Sequence, residues 1–301
     1  MKAGPLDYFA SMKLRAPLFL LLLTFACAQR AERQPPSTAA ASSQPAAAEG
    51  AAPASKMGAV SEADFEALHE LKAEDAPPLR GKMIELDGAA AYLSLPEVAA
   101  APAPGVVVIH EWWGLNQHIK HWADRLAALG YAAVAPDLYG GQVATTPDRA
   151  AELMKSVDAE QAISILESAH GYLRSADEVR APKVASIGWC FGGGQSLRLA
   201  IADPKLDAAV VYYGFPVLEA QKLDAIEADL LLIYANEDQS IPPDRVDELA
   251  SLLDEVGAAY ELHRYDAHHA FANPSSGRYS AEAARDAWTK VQAFLQAHIG
   301  E

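Results

Sequence analysis

The chain has 301 residues, of which 51% are hydrophobic and 21% are charged, and its formal net charge is −16 at pH 7. This composition supplies enough apolar side chains for a folded core, and the length allows one large α/β domain or two small ones. The negative charge argues against a nucleic-acid partner and against adsorption to anionic lipid head groups, because like charges repel.

The first 28 residues have the pattern of an export signal. Lys13 and Arg15 precede the apolar run Leu18–Phe25, and small residues follow that run. The run is too short to span a bilayer as a permanent helix. Either Met1 or Met12 is the translation start. The pattern predicts a signal peptide over residues 1–28.

Cys27 lies where the signal would be cleaved. Small residues around it fit ordinary signal peptidase, whereas Leu23–Cys27 resembles a bacterial lipobox, in which the Cys is lipidated. Residues 29–60, rich in Ala, Pro and Ser, read as a flexible linker without a core, which is what a lipid-anchored domain needs. We therefore expect a bacterial protein that is exported, either free in the periplasm or membrane-anchored through Cys27, and in both forms Cys27 does not pair with Cys190. A cytoplasmic protein whose N-terminus resembles a signal by chance is the remaining alternative.

From residue 61 to residue 301 the sequence predicts one folded domain. Ser61–Leu71 has a capping-box pattern and apolar residues at helical spacing, which predicts a short helix. Met83–Leu86 and Ala89–Leu95 are apolar runs joined by Asp-Gly, a turn sequence typical of a hairpin.

Strands and helices alternate through the rest of the domain. The predicted strands are Val106–Ile109, Tyr131–Ala135, Val184–Ile187, Ala208–Tyr213, Leu230–Tyr234 and Tyr260–Tyr265. The predicted helices are Gln117–Leu129, Pro147–Val157, Ala159–Leu173, Gln195–Ile201, Pro242–Val256 and Ala281–His298. This alternation predicts an α/β fold with one mostly parallel sheet and helices on both of its faces. A ligand site is then expected beyond the carboxyl ends of the strands.

The segment Gly188–Gly193 has the pattern Gly-x-nucleophile-x-Gly, with Cys190 as the nucleophile between a strand and a helix. Glycines allow the sharp turn, the N-terminus of the following helix stabilises a thiolate, and the N–H of Phe191 points to a developing oxyanion. The competing interpretation is a buried structural Cys in a Gly-rich turn. A phosphate-binding loop is disfavoured because no Lys follows the glycines.

A nucleophile of this kind needs an acid and then a His, in that order along the chain. Asp238 follows one predicted strand and is the candidate orienting acid, with Glu237 as its neighbour and rival. The alternative for Asp238 is a purely turn-forming role. His268 and His269 follow the next strand, and from these residues alone either one is the base, because His titrates near neutral pH.

Glu111 follows the Val106–Ile109 strand and is flanked by Trp112 and Trp113. A carboxyl group in such apolar surroundings has a raised pKa and exchanges protons near neutrality, and the Trp side chains are suited to line a pocket. The alternative is that the Trp side chains belong to the core and Glu111 is a solvated loop charge.

His118 and His121 lie one helical turn apart and could be combined with His110 and Glu111 as metal ligands. A solvated or sheet-edge helix face explains His118 and His121 more simply. No metal and no cofactor is predicted.

From about Lys82 to His298 the chain resembles the dienelactone hydrolase family, a branch of the α/β-hydrolases with a Cys nucleophile. The matching segments are His110-Glu111-Trp112-Trp113-Gly114, Pro136-Asp137-Leu138-Tyr139, Gly188-Trp189-Cys190-Phe191-Gly192-Gly193, Asp238 with Ile241-Pro242, and His269-Ala270-Phe271. The resemblance implies a single α/β-hydrolase domain.

The resemblance also assigns site residues. It implies a catalytic triad of Cys190, Asp238 and His269. Glu111 would be a switch carboxylate that helps to generate the thiolate when substrate arrives. The N–H groups of Trp112 and Phe191 would form the oxyanion hole, and Trp113, Tyr139 and Asn273 are the candidate pocket residues.

The chain departs from the family at its substrate-binding arginines. Asn273 stands where the dienelactone-cleaving members have an Arg shortly after the base His, and Arg149 lies in the region of a second Arg without a secure match. We therefore expect a neutral ester or lactone as substrate rather than an anionic dienelactone.

The sequence thus predicts a monomeric hydrolase that cleaves a small ester or lactone through a thioester intermediate. The alternative from another class is a tethered binding protein that keeps the pocket without turnover. A redox role for Cys190 is disfavoured because no second Cys is available to resolve an oxidised thiol.

Overall fold

The computed structural model describes residues 78–97 and 102–300. These residues contain eight strands, all in one sheet, and seven helices. The predicted signal peptide, the linker and the Ser61–Leu71 helix lie outside the described residues. In the described part, no helix is both long and apolar enough to cross a membrane.

The sheet has the order β1-β2-β4-β3-β5-β6-β7-β8. Its strands are β1 (Lys82–Leu86), β2 (Ala89–Ser94), β3 (Gly105–Ile109), β4 (Ala132–Pro136), β5 (Val184–Trp189), β6 (Ala208–Tyr212), β7 (Asp229–Ala235) and β8 (Tyr260–Tyr265). The helices are α1 (Gln117–Ala128), α2 (Pro147–Ser156), α3 (Ala159–Ser175), α4 (Phe191–Ala202), α5 (Ala220–Leu223), α6 (Pro243–Val256) and α7 (Ala281–His298). The β1–β2 hairpin is antiparallel, β2 pairs antiparallel with β4, and all other pairs are parallel. The predicted hairpin and the mostly parallel sheet are therefore confirmed, and the chain has the α/β-hydrolase fold.

Alternating residues of the central strands build two cores. Val106 and Val108 of β3 belong to one apolar cluster, together with buried side chains of α1 and α7. Val107 and Ile109 belong to the other, together with side chains of α2, α3, α4 and α6. Because successive side chains of a strand point to opposite faces, a strand that is apolar throughout is covered by helices on both sides.

The structure differs from the prediction around the Gly-rich turn. Strand β5 extends through Trp189, and α4 begins at Phe191 rather than at Gln195. Glycine has a poor helix propensity, and the run Gly192–Gly194 was therefore expected to precede the helix. In the structure, the glycines allow the first turn of α4 to pack closely against the neighbouring strands. A Cβ on Gly192 would lie under 3.0 Å from the carbonyl oxygens of Ile109 and His110.

We expect Gly192→Ala to lower the free energy of unfolding by about 1–3 kcal/mol, because its methyl group must displace the backbone of the next strand. Gly171→Ala in α3 is the matched control. A Cβ there meets nothing within 4 Å, so Ala should raise stability by roughly 0.5–1 kcal/mol. Urea denaturation measures both, and equal effects of the two substitutions would refute the role of close packing.

Candidate active site

Cys190 lies at the turn between β5 and α4, with φ 55° and ψ −115°. A side chain at positive φ is strained and persists only where the surroundings impose it. A Cβ on Gly188 would lie under 3.0 Å from the carbonyl oxygen of Gly192, so the turn closes only around glycines. The partly buried thiol group therefore stands at the carboxyl end of the sheet, at the N-terminus of the 12-residue helix α4, where an anion is stabilised.

Asp238 and His269 come from the ends of the neighbouring strands β7 and β8. The Nδ1 atom of His269 lies 2.6 Å from Oδ2 of Asp238. The Oδ1 atom of Asp238 accepts hydrogen bonds from the N–H groups of Ser240 at 2.8 Å and Ile241 at 3.0 Å. Cys190 also acts on the pKa of His269. The ends of β7 and β8 thus contribute the hydrogen-bonded pair Asp238–His269, and Cys190 follows the end of β5.

His268 and Glu237, which directly precede His269 and Asp238 in the sequence, form a separate pair at the surface. The half-exposed ring of His268 has Nε2 at 3.1 Å from a carboxylate oxygen of Glu237 and Nδ1 at 3.2 Å from its carbonyl oxygen. The Oδ1 atom of Asp266 accepts a hydrogen bond from Asn236. The structure therefore places His269, and not His268, beside Asp238.

The charges of Asp238 and His269 are mutually stabilising. Burial opposes the charging of His269, but its hydrogen bond to Asp238 and its interactions with Cys190 and the Asp238 charge outweigh burial and raise the pKa of His269 to about 10. Burial likewise opposes the ionisation of Asp238, yet the hydrogen bonds from His269, Ile241 and Ser240 hold the pKa of Asp238 below its ordinary value. The arrangement favours an imidazolium at His269 at neutral pH.

Glu111 follows β3 and is buried, with 3% of its surface exposed. Its Oε2 atom accepts a hydrogen bond of 2.6 Å from the side-chain amide of Asn273. Burial raises the pKa of Glu111 to about 7, although the charge of His269 and the bond from Asn273 act in the opposite direction. The expected desolvation of this carboxyl group is confirmed, and the alternative of a solvated loop charge is wrong.

Asn273 is the neutral partner of that buried carboxyl group. Its side chain is buried, and its Oδ1 atom accepts a hydrogen bond of 2.9 Å from the N–H of Ser275. Arg149 of α2 is half-exposed and interacts with Gln142 and, at 2.8 Å, with Glu152. The side-chain amide of Asn273 is therefore already engaged with Glu111.

Four aromatic residues follow the ends of β3, β4 and β5. Trp112 and Trp113 are partly buried and in edge-to-face contact, with ring centroids 5.0 Å apart. The ring of Tyr139 lies 5.7 Å from that of Phe191. Burial raises the pKa of Tyr139, and Cys190 raises it further. These contacts suit an apolar pocket, and the individual roles of the four residues stay predictions.

Two residues of this region were not assigned to the site from the sequence. Tyr213 directly follows β6 with φ 34°, and its buried ring lies 5.1 Å from that of His269. Ala270, next to His269, also has positive φ. No catalytic role was assigned to His110 from the sequence, although His110 belongs to the segment His110–Gly114 singled out above, and its buried ring stands between the ends of β3 and β4. A position directly after a strand was the signal that Tyr213 and His110 share.

The other histidines considered as metal ligands belong to helix packing. The ring of His118 meets that of Trp122 edge-to-face at 6.4 Å, and His121 is buried. Within residues 78–97 and 102–300, no three His, Cys, Asp or Glu side chains are grouped so that they could hold a metal ion.

Comparison with known proteins agrees with the fold and the motifs. A profile described as "Dienelactone hydrolase family" matches residues 89–299. Protein usf of Aquifex pyrophilus is 31% identical over 232 residues, which cover 73% of this chain and 99% of the relative. A protein of Saccharolobus solfataricus, named "Putative carboxymethylenebutenolidase", is 32% identical over 246 residues and covers 68% of this chain and 93% of its own length.

A solved structure is similar over the same region. The crystal structure titled "Putative Dienelactone Hydrolase" from Klebsiella pneumoniae subsp. pneumoniae superposes with a TM-score of 0.67 at 28% sequence identity. The match covers 72% of this chain and 98% of that chain. The family match over residues 89–299 includes strands β2 to β8 and all the strand ends described above.

The raised pKa of Glu111 has a consequence for stability. Between pH 4.5 and pH 7 the folded protein holds a proton on Glu111 that the unfolded chain has released, so stability falls as the pH rises through this window. We expect Glu111→Gln to remove this pH-dependent loss of stability. From pH 4.5 to pH 8, the free energy of unfolding of the variant should therefore rise relative to that of the parent by on the order of 3 kcal/mol.

Urea denaturation at the two pH values provides the measurement. Glu282→Gln, at an exposed position of α7, is the control and should change stability by less than about 0.5 kcal/mol at either pH. If parent and Glu111→Gln differed in free energy of unfolding by the same amount at both pH values, the raised pKa of Glu111 would be contradicted.

Proposed function

The chain belongs to the dienelactone hydrolase family of hydrolases, and on this basis we propose that it cleaves a small neutral ester or lactone with Cys190 as nucleophile. The observation that carries the proposal is the hydrogen-bonded pair Asp238–His269 at the carboxyl ends of two parallel strands, together with Cys190 in the turn after a third. An acid, a base and a nucleophile in this order perform acyl transfer on several unrelated folds.

The first half of the reaction acylates Cys190. The thiolate attacks the carbonyl carbon, a C–S bond forms, and the electron pair of the C=O bond moves to oxygen. The N–H groups of Trp112 and Phe191 donate hydrogen bonds to this oxyanion. Phe191 is the first residue of α4, and its N–H has no acceptor within the helix. When the tetrahedral intermediate collapses, the C–O bond breaks and the leaving oxygen takes a proton from His269.

The second half hydrolyses the thioester. Acylation removes the negative charge of Cys190, which is one of the groups that raise the pKa of His269. The pKa of His269 therefore falls at the stage where a base is needed. The ring takes a proton from water, the water oxygen attacks the thioester carbon, and the C–S bond breaks. Asp238 stays bound to Nδ1 throughout and keeps the other ring nitrogen directed at the reaction.

Glu111 supplies a second proton acceptor. Because burial raises its pKa to about 7, Glu111 exchanges a proton with a thiol near neutral pH, and it takes the Cys190 proton when substrate arrives. Its partner Asn273 is neutral, and the whole chain is acidic. A substrate carboxylate would meet no cation at this position, which favours a neutral ester or lactone.

We expect Cys190→Ala and His269→Asn to lower kcat/KM for p-nitrophenyl butyrate by at least about 10³-fold, because each removes a member of the triad. His268→Asn is the matched control and should retain activity within about threefold, because its ring pairs with Glu237 at the surface. Release of p-nitrophenolate by the purified domain measures all three.

The same assay tests substrate charge. Mono-p-nitrophenyl succinate has a similar length and one negative charge, and we expect its kcat/KM to be about tenfold lower than that of the butyrate. If Cys190→Ala hydrolysed the butyrate at the parental rate, the nucleophile assignment would be wrong. If the parent bound ester saturably without turnover, a non-hydrolytic binding protein would replace the proposal.

We also propose that the N-terminus exports the domain and anchors it through lipid on Cys27, as the lipobox-like segment indicates. In a Gram-negative host, the full chain should therefore fractionate with membranes, and Cys27→Ser should abolish the lipid-modified N-terminal peptide seen by mass spectrometry. A soluble periplasmic parent cleaved near residue 28 would instead support ordinary secretion.

A further inference from the structure

His110 is a fully buried histidine to which the steps above assign no role. It connects β3 to Glu111, and its Nδ1 atom lies 2.6 Å from the carbonyl oxygen of Glu111. Its Nε2 atom lies 3.2 Å from the backbone nitrogen of Leu138. The ring packs against Tyr139 at 4.6 Å and stacks on Phe191 at 5.8 Å. The side chain thus bridges three segments that meet at Cys190.

The two hydrogen bonds define the tautomer of this ring. The N–H of Leu138 is a donor, so Nε2 of His110 must carry a lone pair. Nδ1 then carries the hydrogen and donates it to the carbonyl oxygen of Glu111. Burial lowers the pKa of His110, which keeps the ring neutral and this donor pattern intact.

This bond acts on the peptide group between Glu111 and Trp112. The same carbonyl oxygen accepts a second hydrogen bond of 3.2 Å from the N–H of Gly114. In a trans peptide the N–H points opposite to the C=O. With its carbonyl held from two directions, the peptide group presents the Trp112 N–H on the side away from His110. Among the described residues, that N–H has no acceptor.

We propose that His110 is a positioning residue that fixes the oxyanion hole, and this inference rests on the function proposed above. Through its Nδ1–H it orients the peptide group that carries the Trp112 N–H. Through ring stacking it supports Phe191, whose N–H is the second donor. Its own carbonyl oxygen lies against Gly192, in the first turn of α4. One residue therefore contacts both segments that supply oxyanion donors.

Two reactions of Cys190 distinguish a role of His110 in the oxyanion hole from a general disturbance of the site's structure. Acylation by p-nitrophenyl acetate develops an oxyanion, whereas alkylation by iodoacetamide does not. We expect His110→Leu to slow the burst of acylation by about 10²-fold, as loss of an oxyanion donor does, and to change the alkylation rate by less than about threefold. His110→Gln should recover most of the acylation rate, because its amide both donates and accepts.

His170→Leu is the matched control. His170 is also buried and makes two side-chain hydrogen bonds, with Nδ1 at 2.5 Å from Asp203 and Nε2 at 3.2 Å from Arg174. Asp203 precedes β6 and so lies at the amino ends of the parallel strands, opposite to the site. His170→Leu should leave the acylation rate and the alkylation rate within about threefold of the parental rates. Parental acylation by His110→Leu, or an equal loss of acylation and alkylation, would overturn the inference.

A crystal structure of His110→Leu separates this inference from the proposed function. The inference requires the Glu111–Trp112 peptide group to turn or shift in the variant. An unchanged peptide group would overturn it regardless of activity. A parent that is alkylated but never acylated would instead refute the ester hydrolase proposal, and the orientation of the peptide group would still decide the role of His110.

Discussion

The site depends on the close contact between the first turn of α4 and the carbonyl oxygens of neighbouring strands. Gly192 and Gly193 make this contact, and neither position has room for a Cβ. The contact forces Cys190 to positive φ and sets its sulfur at the N-terminus of a helix. It also brings the end of β3, with Glu111, against the nucleophile turn. The glycines thus lower the helix propensity of the first turn, but they allow the close packing that positions Cys190.

Two buried carboxyl groups lie within this small region and have opposite electrostatic environments. Asp238 faces the charged ring of His269 and two backbone N–H groups, and its pKa is lowered. Glu111 has a neutral amide as its closest partner, and its pKa is raised. The surroundings of each carboxyl group, and not its residue type, therefore keep Asp238 ionised and allow Glu111 to exchange a proton near neutral pH. Such a pair is suited to acid–base work beside a thiol.

Sequence patterns predicted the bounds of several elements to within one residue. Strand β8 and helix α7 have the predicted bounds, and β3 begins one residue earlier than predicted. Helix α5 has only four residues and is too short to show a helical period. The start of α4 was placed too late because glycine propensity is a local property, while the packing that overrides it comes from strands far along the chain.

The sequence by itself determined the alternation of strands and helices, and thus the set of side chains that follow each strand end. It did not determine which of two adjacent residues enters the site. Consecutive side chains point in different directions, and only packing decides that His269 turns to Asp238 while His268 turns to Glu237. The bond between Glu111 and Asn273 joins residues 162 positions apart. The tautomer of His110 likewise follows from Leu138, on another strand end. These choices belong to the tertiary structure because each depends on a hydrogen-bond partner that the local sequence does not contain.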